Sequence, residues 1–129
     1  MSTLPWDIGE AAQALRNSSS AQKAAEDTLR SAVKEYAACE QRYREALASA
    51  ITTLRAEGAA ATTAADLARG NPTVARLRFA RDVAEGMKEA AMQVGWRASA
   101  DRKDAQSLAL WSMRRELAEH GGEDSRLSF

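Results

Sequence analysis

The chain has 129 residues, enough for one domain, with a formal net charge of zero, a single cysteine and a single histidine. Neutrality removes any argument from overall basicity or acidity for a nucleic-acid partner or a mimic, and one cysteine excludes an internal disulfide and a cysteine-based metal cluster. Alanine is frequent, glycine and proline are sparse and aromatics make up 5% of the chain, a composition that favours long helices with thin seams over a large globular core.

Residues 1–17 read as an N-terminal helical arm. Pro5, Trp6 and Asp7 resemble a helix start, and Ile8, Ala11, Ala12 and Leu15 then share one face. The arm is too short to be stable alone. Asn17 to Ser20 is expected to break it, with Ser19 and Gln22 forming a capping box for the next helix.

A helical hairpin is expected over residues 18–119. Its first long helix, from about 20 to 57, places Ala25, Leu29, Ala32, Tyr36, Cys39, Tyr43, Ala46 or Leu47, Ala50 and Leu54 on one seam. The spacing alternates three and four, as in a coiled coil. Glu40 and Arg44 form an i,i+4 pair in the favourable order.

The connection that follows decides the topology. Gly58 can take the left-handed conformation that closes a helix. Residues 63–69 read as a short helical turn, opened by a capping-box-like Thr63 and Asp66, with Leu67 plugging the hairpin end. Asn71 before Pro72 is a helix start.

The second long helix, from about 72 to 119, offers a seam of Val74, Leu77, Ala80, Ala84, Met87, Ala91, Val94, Ala98, Asp101, Ala105 and Leu108. Folding at the connection then lays Leu54 near Leu77, Leu47 near Ala84, Tyr43 near Met87 and Tyr36 near Val94, with Asp101 near Leu29 and Arg30. Gly86 and Gly95 each cost about 1 kcal/mol of helix propensity relative to alanine. Residues 120–129 turn acidic and glycine-containing and are expected to form a flexible tail. The fold class is therefore all-α: a long antiparallel, coiled-coil-like hairpin with a short helical turn at its tip and an N-terminal arm. Apolar residues left off the seam point to dimerisation into a helical bundle.

No catalytic constellation is present. His120 sits at the expected fraying end, where a basic side chain suits the helix dipole. Cys39 reads as a small seam hydrophobe. There is no Glu-x-x-His pair and no phosphate-binding glycine loop, so no enzyme activity, cofactor or metal is expected. Trp6, Trp96 and Trp111 are large anchors in an alanine-rich chain, suited to a partner or to self-association. Arg76, Arg78 and Arg81 with Phe79 among them combine phosphate neutralisation with a stacking ring, the chemistry of a single-stranded nucleic-acid contact. Asp82, Glu85 and Glu89 dilute that field.

The run Leu54-Arg-Ala-Glu-Gly58, then Thr63, Leu67-Ala-Arg-Gly70 and Val74 to Glu85, resembles small helical proteins encoded by bacteriophages and prophages. These often lie among early genes for DNA recombination or replication, and most lack an assigned activity. The resemblance covers about residues 36–112 and carries over no catalytic residues. It implies a non-enzymatic accessory protein that binds another protein of phage or host. The alternatives are a nucleic-acid-binding accessory protein and a structural coiled-coil subunit. No apolar run approaches a membrane span and the first residues lack a signal peptide's regions, so a cytoplasmic location is expected, in the host cell for a phage protein.

Overall fold

The computed structural model describes residues 7–127, with side chains from 7 to 120. Three helices account for them: α1 (Ile8–Ala56), α2 (Ala61–Arg69) and α3 (Pro72–Leu127), with no strand among the described residues. The expected all-α hairpin is observed, α1 packing antiparallel on α3. By packing, the chain divides into two compact units, residues 27–93 and residues 7–26 with 94–127.

The start of α1 is set by a reciprocal capping box. Asp7 Oδ1 accepts from the Glu10 amide at 2.7 Å, and Glu10 Oε2 accepts from the Asp7 amide at 3.3 Å. Two of the amides that a helix start leaves unpaired are satisfied in this way. The expected break at Asn17 to Ser20 does not occur: α1 runs through it. Ser18 donates back to the Leu15 carbonyl at 2.9 Å, and Asn17 Oδ1 accepts from Gln13 Nε2 at 2.9 Å. Polar side chains that could divert the backbone are thus occupied within the helix itself. Residues 8–17 are the first turns of α1 rather than a separate arm. At the other end α3 continues past 119 through Gly121 and Gly122 to Leu127, where a flexible tail was expected.

The connection behaves largely as its residues dictate. Gly58 has φ +99°, the left-handed value that closes α1. Asn71 Oδ1 accepts from the amides of Thr73 and Val74 at 2.9 and 3.4 Å, with Pro72 at the first position of α3. Two details differ. The cap residue of α2 is Ala60, with no side-chain cap, so Thr63 and Asp66 form no capping box. Ala64 and Ala68 are the fully buried residues of α2, while Leu67 faces out. A nine-residue helix lying flat on its neighbours fits methyl groups beneath it more closely than a leucine.

In unit 27–93 the α1 seam is the expected one, with Cys39 and Tyr43 buried and Leu29, Ala32, Tyr36, Ala46, Leu47, Ala50 and Leu54 half-buried. The α3 seam is different. Val74, Leu77, Arg81, Ala84, Lys88 and Ala91 turn inward, while Met87 is 65% exposed. Tyr43 therefore meets Arg81 rather than Met87, and Tyr36 meets Lys88 rather than Val94. In the other unit Ala98, Arg102, Ala105 and Ser112 turn inward, and Val94 and Asp101 are exposed. Arg102 there donates to Gln22 at 2.9 Å, whereas Arg30, expected beside Asp101, pairs with Asp27 at 3.0 Å.

Gly58 and Gly70 provide a matched test of the connection. Gly58→Ala forces a side chain into the left-handed region and is expected to cost about 1–2 kcal/mol, lowering the melting temperature by about 5 °C. Gly70 has φ −80° and room for a methyl group. Gly70→Ala is therefore expected to leave the thermal midpoint within about 1 °C or raise it, as read by circular dichroism.

Candidate protein-interaction surface

The α3 seam follows a strict heptad with two alternating characters. One position repeats small residues, Ala84, Ala91, Ala98 and Ala105. The other carries Arg81, Lys88, Gly95 and Arg102. Long cations are tolerated at such a position because their methylene stems pack while the heads reach a ring, a carboxylate or water. Arg81 Cζ sits 4.5 Å from the Tyr43 ring centroid, and Lys88 Nζ sits 4.3 Å from that of Tyr36. Each contact is a cation over an electron-rich aromatic face.

Arg81 is held on every side. Its Nε and Nη2 donate to Asp82 Oδ1 at 3.2 and 2.9 Å, and its Nε lies 3.5 Å from Glu40 Oε2. The hydrogen bonds to Asp82 raise its pKa further above the ordinary value. Glu40 is tied down in turn, because its Oε1 accepts from Arg44 Nε at 2.7 Å, the expected i,i+4 pair.

This arrangement divides the arginine cluster singled out from the sequence. Arg81 belongs to the seam, its side chain only 22% exposed. Arg76 is an exposed side chain bonded to Thr73 Oγ1 at 3.4 Å, and Arg78 is exposed. Phe79 is 71% exposed and lies on the opposite flank of α3 from the Tyr43 contact. The four residues are neighbours in sequence, but they do not converge on one surface.

The rotation that brings cations into the seam turns apolar residues out. In unit 27–93 an open trough of about 570 Å³ runs between α1 and α3. Its α3 wall is Phe79, Val83 and Met87, and its floor is Ala32, Cys39 and Ala84. Thr28, Ser31, Glu35 and Arg42 of α1 form the other wall. Phe79 and Val83 are among the apolar residues that the sequence leaves off the seam and assigns to self-association. Met87 was expected in the seam, and its i+4 spacing from Val83 was the signal that places it in this wall instead.

Cys39 is buried in that floor and donates to Glu35 Oε1 at 3.4 Å. Burial, then the bonded carboxylate, push the thiol above its ordinary pKa of 9.0. The neutral thiol is favoured in the fold, so this contribution to stability is present below the ordinary pKa and is lost as pH rises through the folded-state value.

Two of the three tryptophans fall in the other unit. Trp96 and Trp111 are 66% and 50% exposed on α3, with Leu110, Met113 and Leu117 also exposed nearby. Trp6 lies outside the described residues. Among the described residues no group of three or more His, Cys, Asp or Glu could hold a metal ion, and no helix is long and apolar enough to cross a membrane. Comparison with protein-family models, with curated proteins and with solved structures finds no match for this chain.

Two measurements check this geometry. Arg81→Ala is expected to destabilise the fold by about 1–2 kcal/mol through loss of the ring and carboxylate contacts, whereas Arg78→Ala is expected to stay within about 0.5 kcal/mol. Equal urea midpoints for the two variants would place Arg81 outside the seam. At pH 7 the Cys39 thiol is expected to react with a disulfide reagent more slowly in the folded chain than in urea, by about tenfold or more. Equal rates would contradict its burial.

Proposed function

We propose that this chain is a non-enzymatic accessory protein of the phage type that works by binding another protein surface in the cytoplasm. The observation that carries the reading is the placement of its large apolar side chains. Phe79, Val83, Met87, Trp96 and Trp111 are exposed, while the α3 seam is filled by alanines and the stems of cations. Phe79, Val83 and Met87 line one open trough, and an exposed apolar patch of this kind marks an interaction site, with tryptophans such as Trp96 and Trp111 a favoured type of anchor at such sites. The phage assignment rests on the sequence run from Leu54 to Glu85 described above.

Direct nucleic-acid binding through Arg76, Arg78, Phe79 and Arg81 has less support. Arg81 already spends its charge on Asp82 and Glu40 and its planar face on Tyr43. Arg76 and Arg78 alone make a weak phosphate track.

Fluorescence anisotropy of labelled single-stranded DNA, titrated with the full chain at low and at physiological salt, separates the two readings. No saturable binding is expected even at low salt. Saturable binding that weakens steeply with salt and is lost in an Arg76→Ala/Arg78→Ala variant would overturn the protein-binding reading.

A further inference from the structure

The two walls of the trough in unit 27–93 differ in chemistry. On α3 the wall is apolar: Phe79, Val83 and Met87 are exposed at i, i+4 and i+8, a span of about 12 Å. On α1 the wall is polar, formed by Thr28, Ser31, Glu35 and Arg42. The floor between them is made of small side chains, Ala32 and Cys39 from α1 and Ala80 and Ala84 from α3. Large side chains at the rim and small ones beneath leave room for large side chains from outside.

Both walls are helices, so their backbone amides and carbonyls are paired within the helices themselves. The trough therefore offers no ladder to an extended segment. The backbone of such a segment would lose water over Phe79, Val83 and Met87 without gaining a partner. A helix satisfies its own backbone and presents side chains alone. It is also the convex shape that fits a groove between two packed helices. An apolar wall over a small floor then calls for a stripe of large apolar residues along that helix.

The charges specify what flanks the stripe. Glu35 and Arg42 are exposed at the α1 edge, opposite in sign and one heptad apart, a rise of about 10 Å. Arg42 forms no ion pair among the described residues, and Glu35 accepts from the Cys39 thiol, a weak donor. The lining residues of α3 carry no charge, so this pair sets the field along the trough. We propose that the trough docks an amphipathic helix of a partner protein. Its apolar stripe covers Phe79, Val83 and Met87, and its flank toward α1 carries a cation opposite Glu35 and a carboxylate opposite Arg42, one heptad apart. A slip of one heptad would set like charge against like charge, so the pair also fixes the register of the bound helix.

This inference rests on the protein-binding reading and names the class of partner. Fluorescence anisotropy of labelled peptides titrated with the full chain at physiological salt tests it. The peptides have about 20 residues, long enough for a helix, with leucine at the a and d positions of each heptad, and are kept too dilute to pair with themselves. They differ only at two flanking positions one heptad apart, which carry glutamate then lysine, lysine then glutamate, two glutamates or two lysines. One of the mixed peptides is expected to bind tightest, by about fivefold or more over both like-charged ones. In Arg42→Glu the two-lysine peptide is expected to become the tightest. Met87→Asp, at an exposed position, is expected to weaken binding by about tenfold or more, whereas Trp96→Ala/Trp111→Ala is expected to stay within about twofold. No saturable binding by any peptide, equal binding by all four, or an order that Arg42→Glu leaves unchanged would overturn the inference. So would binding lost in the tryptophan variant and kept in Met87→Asp, which moves the site to the other unit. A homodimer in sedimentation equilibrium that Met87→Asp disperses would put a second copy in the trough and overturn it as well. Each of these results would leave the protein-binding reading standing, since that reading falls only to salt-dependent DNA binding.

Discussion

Two stacked pairs, Lys88 on Tyr36 and Arg81 on Tyr43, fix how α3 lies on α1. They are one heptad apart on each helix and run in opposite directions, so together they define both the rotation and the axial register of the antiparallel pair. A seam of alanines alone would define neither, because small residues pack nearly as well after a slip of one heptad. Each cation has a single ring at the right height. Sliding the helices by a heptad would leave one tyrosine without its cation and one cation without its ring. The stabilisation from each contact is modest, about 0.5–1 kcal/mol where water still reaches the group. Their larger effect is to select one arrangement among several of similar energy, as polar residues in coiled-coil seams do.

Most of the fold was legible because its signals are local. The glycine closing α1, the Asn71-Pro72 start of α3 and the α1 seam are each written within a few residues, and they appear where the chemistry of those residues puts them. The face of α3 was not legible by hydropathy. Ala84, Ala91, Ala98 and Ala105 belong equally to two candidate seams. One is flanked by Met87, Val94 and Leu108, the other by Arg81, Lys88 and Arg102. Counting apolar side chains selects the first. The fold uses the second, since tyrosines on α1 give cations a better partner than methionine or valine would have found there. The signal was present in a different form: Tyr36 and Tyr43, and Arg81 and Lys88, share the same seven-residue interval. The serine run at 18–20 was misread for a related reason. Serine breaks a helix when its hydroxyl bonds the backbone in a non-helical geometry, but here Ser18 bonds the preceding turn.

The arginines show how little residue type alone says about a site. Arg81 is a structural side chain, and Arg44 and Arg69 pair locally with Glu40 and Asp66 on exposed turns. Arg42 stands at the edge of an apolar trough. Read as a sequence cluster, Arg76 to Arg81 suggested a phosphate-binding tip. In the fold the cluster separates because a helix turns about 100° per residue. Residues two and three apart point in different directions unless a partner gathers them. The element that could have distinguished these roles is Asp82, which follows Arg81 directly and captures its guanidinium.

The same choice of seam decides where the large apolar side chains of α3 lie. A helix pair can bury its large apolar residues between its own helices, or it can fill that seam with small residues and cation stems and turn the large ones outward. The first solution stabilises the single chain. The second leaves the single chain lightly held: among the described residues no large side chain is fully buried. On the protein-binding reading proposed above, a surface that covers Phe79, Val83 and Met87 adds stability, because whatever binds only the folded form shifts the folding equilibrium toward it. On that reading folding and association are linked through the apolar wall of the trough. Trp96 and Trp111, equally exposed in the other unit, extend the same logic to a second surface.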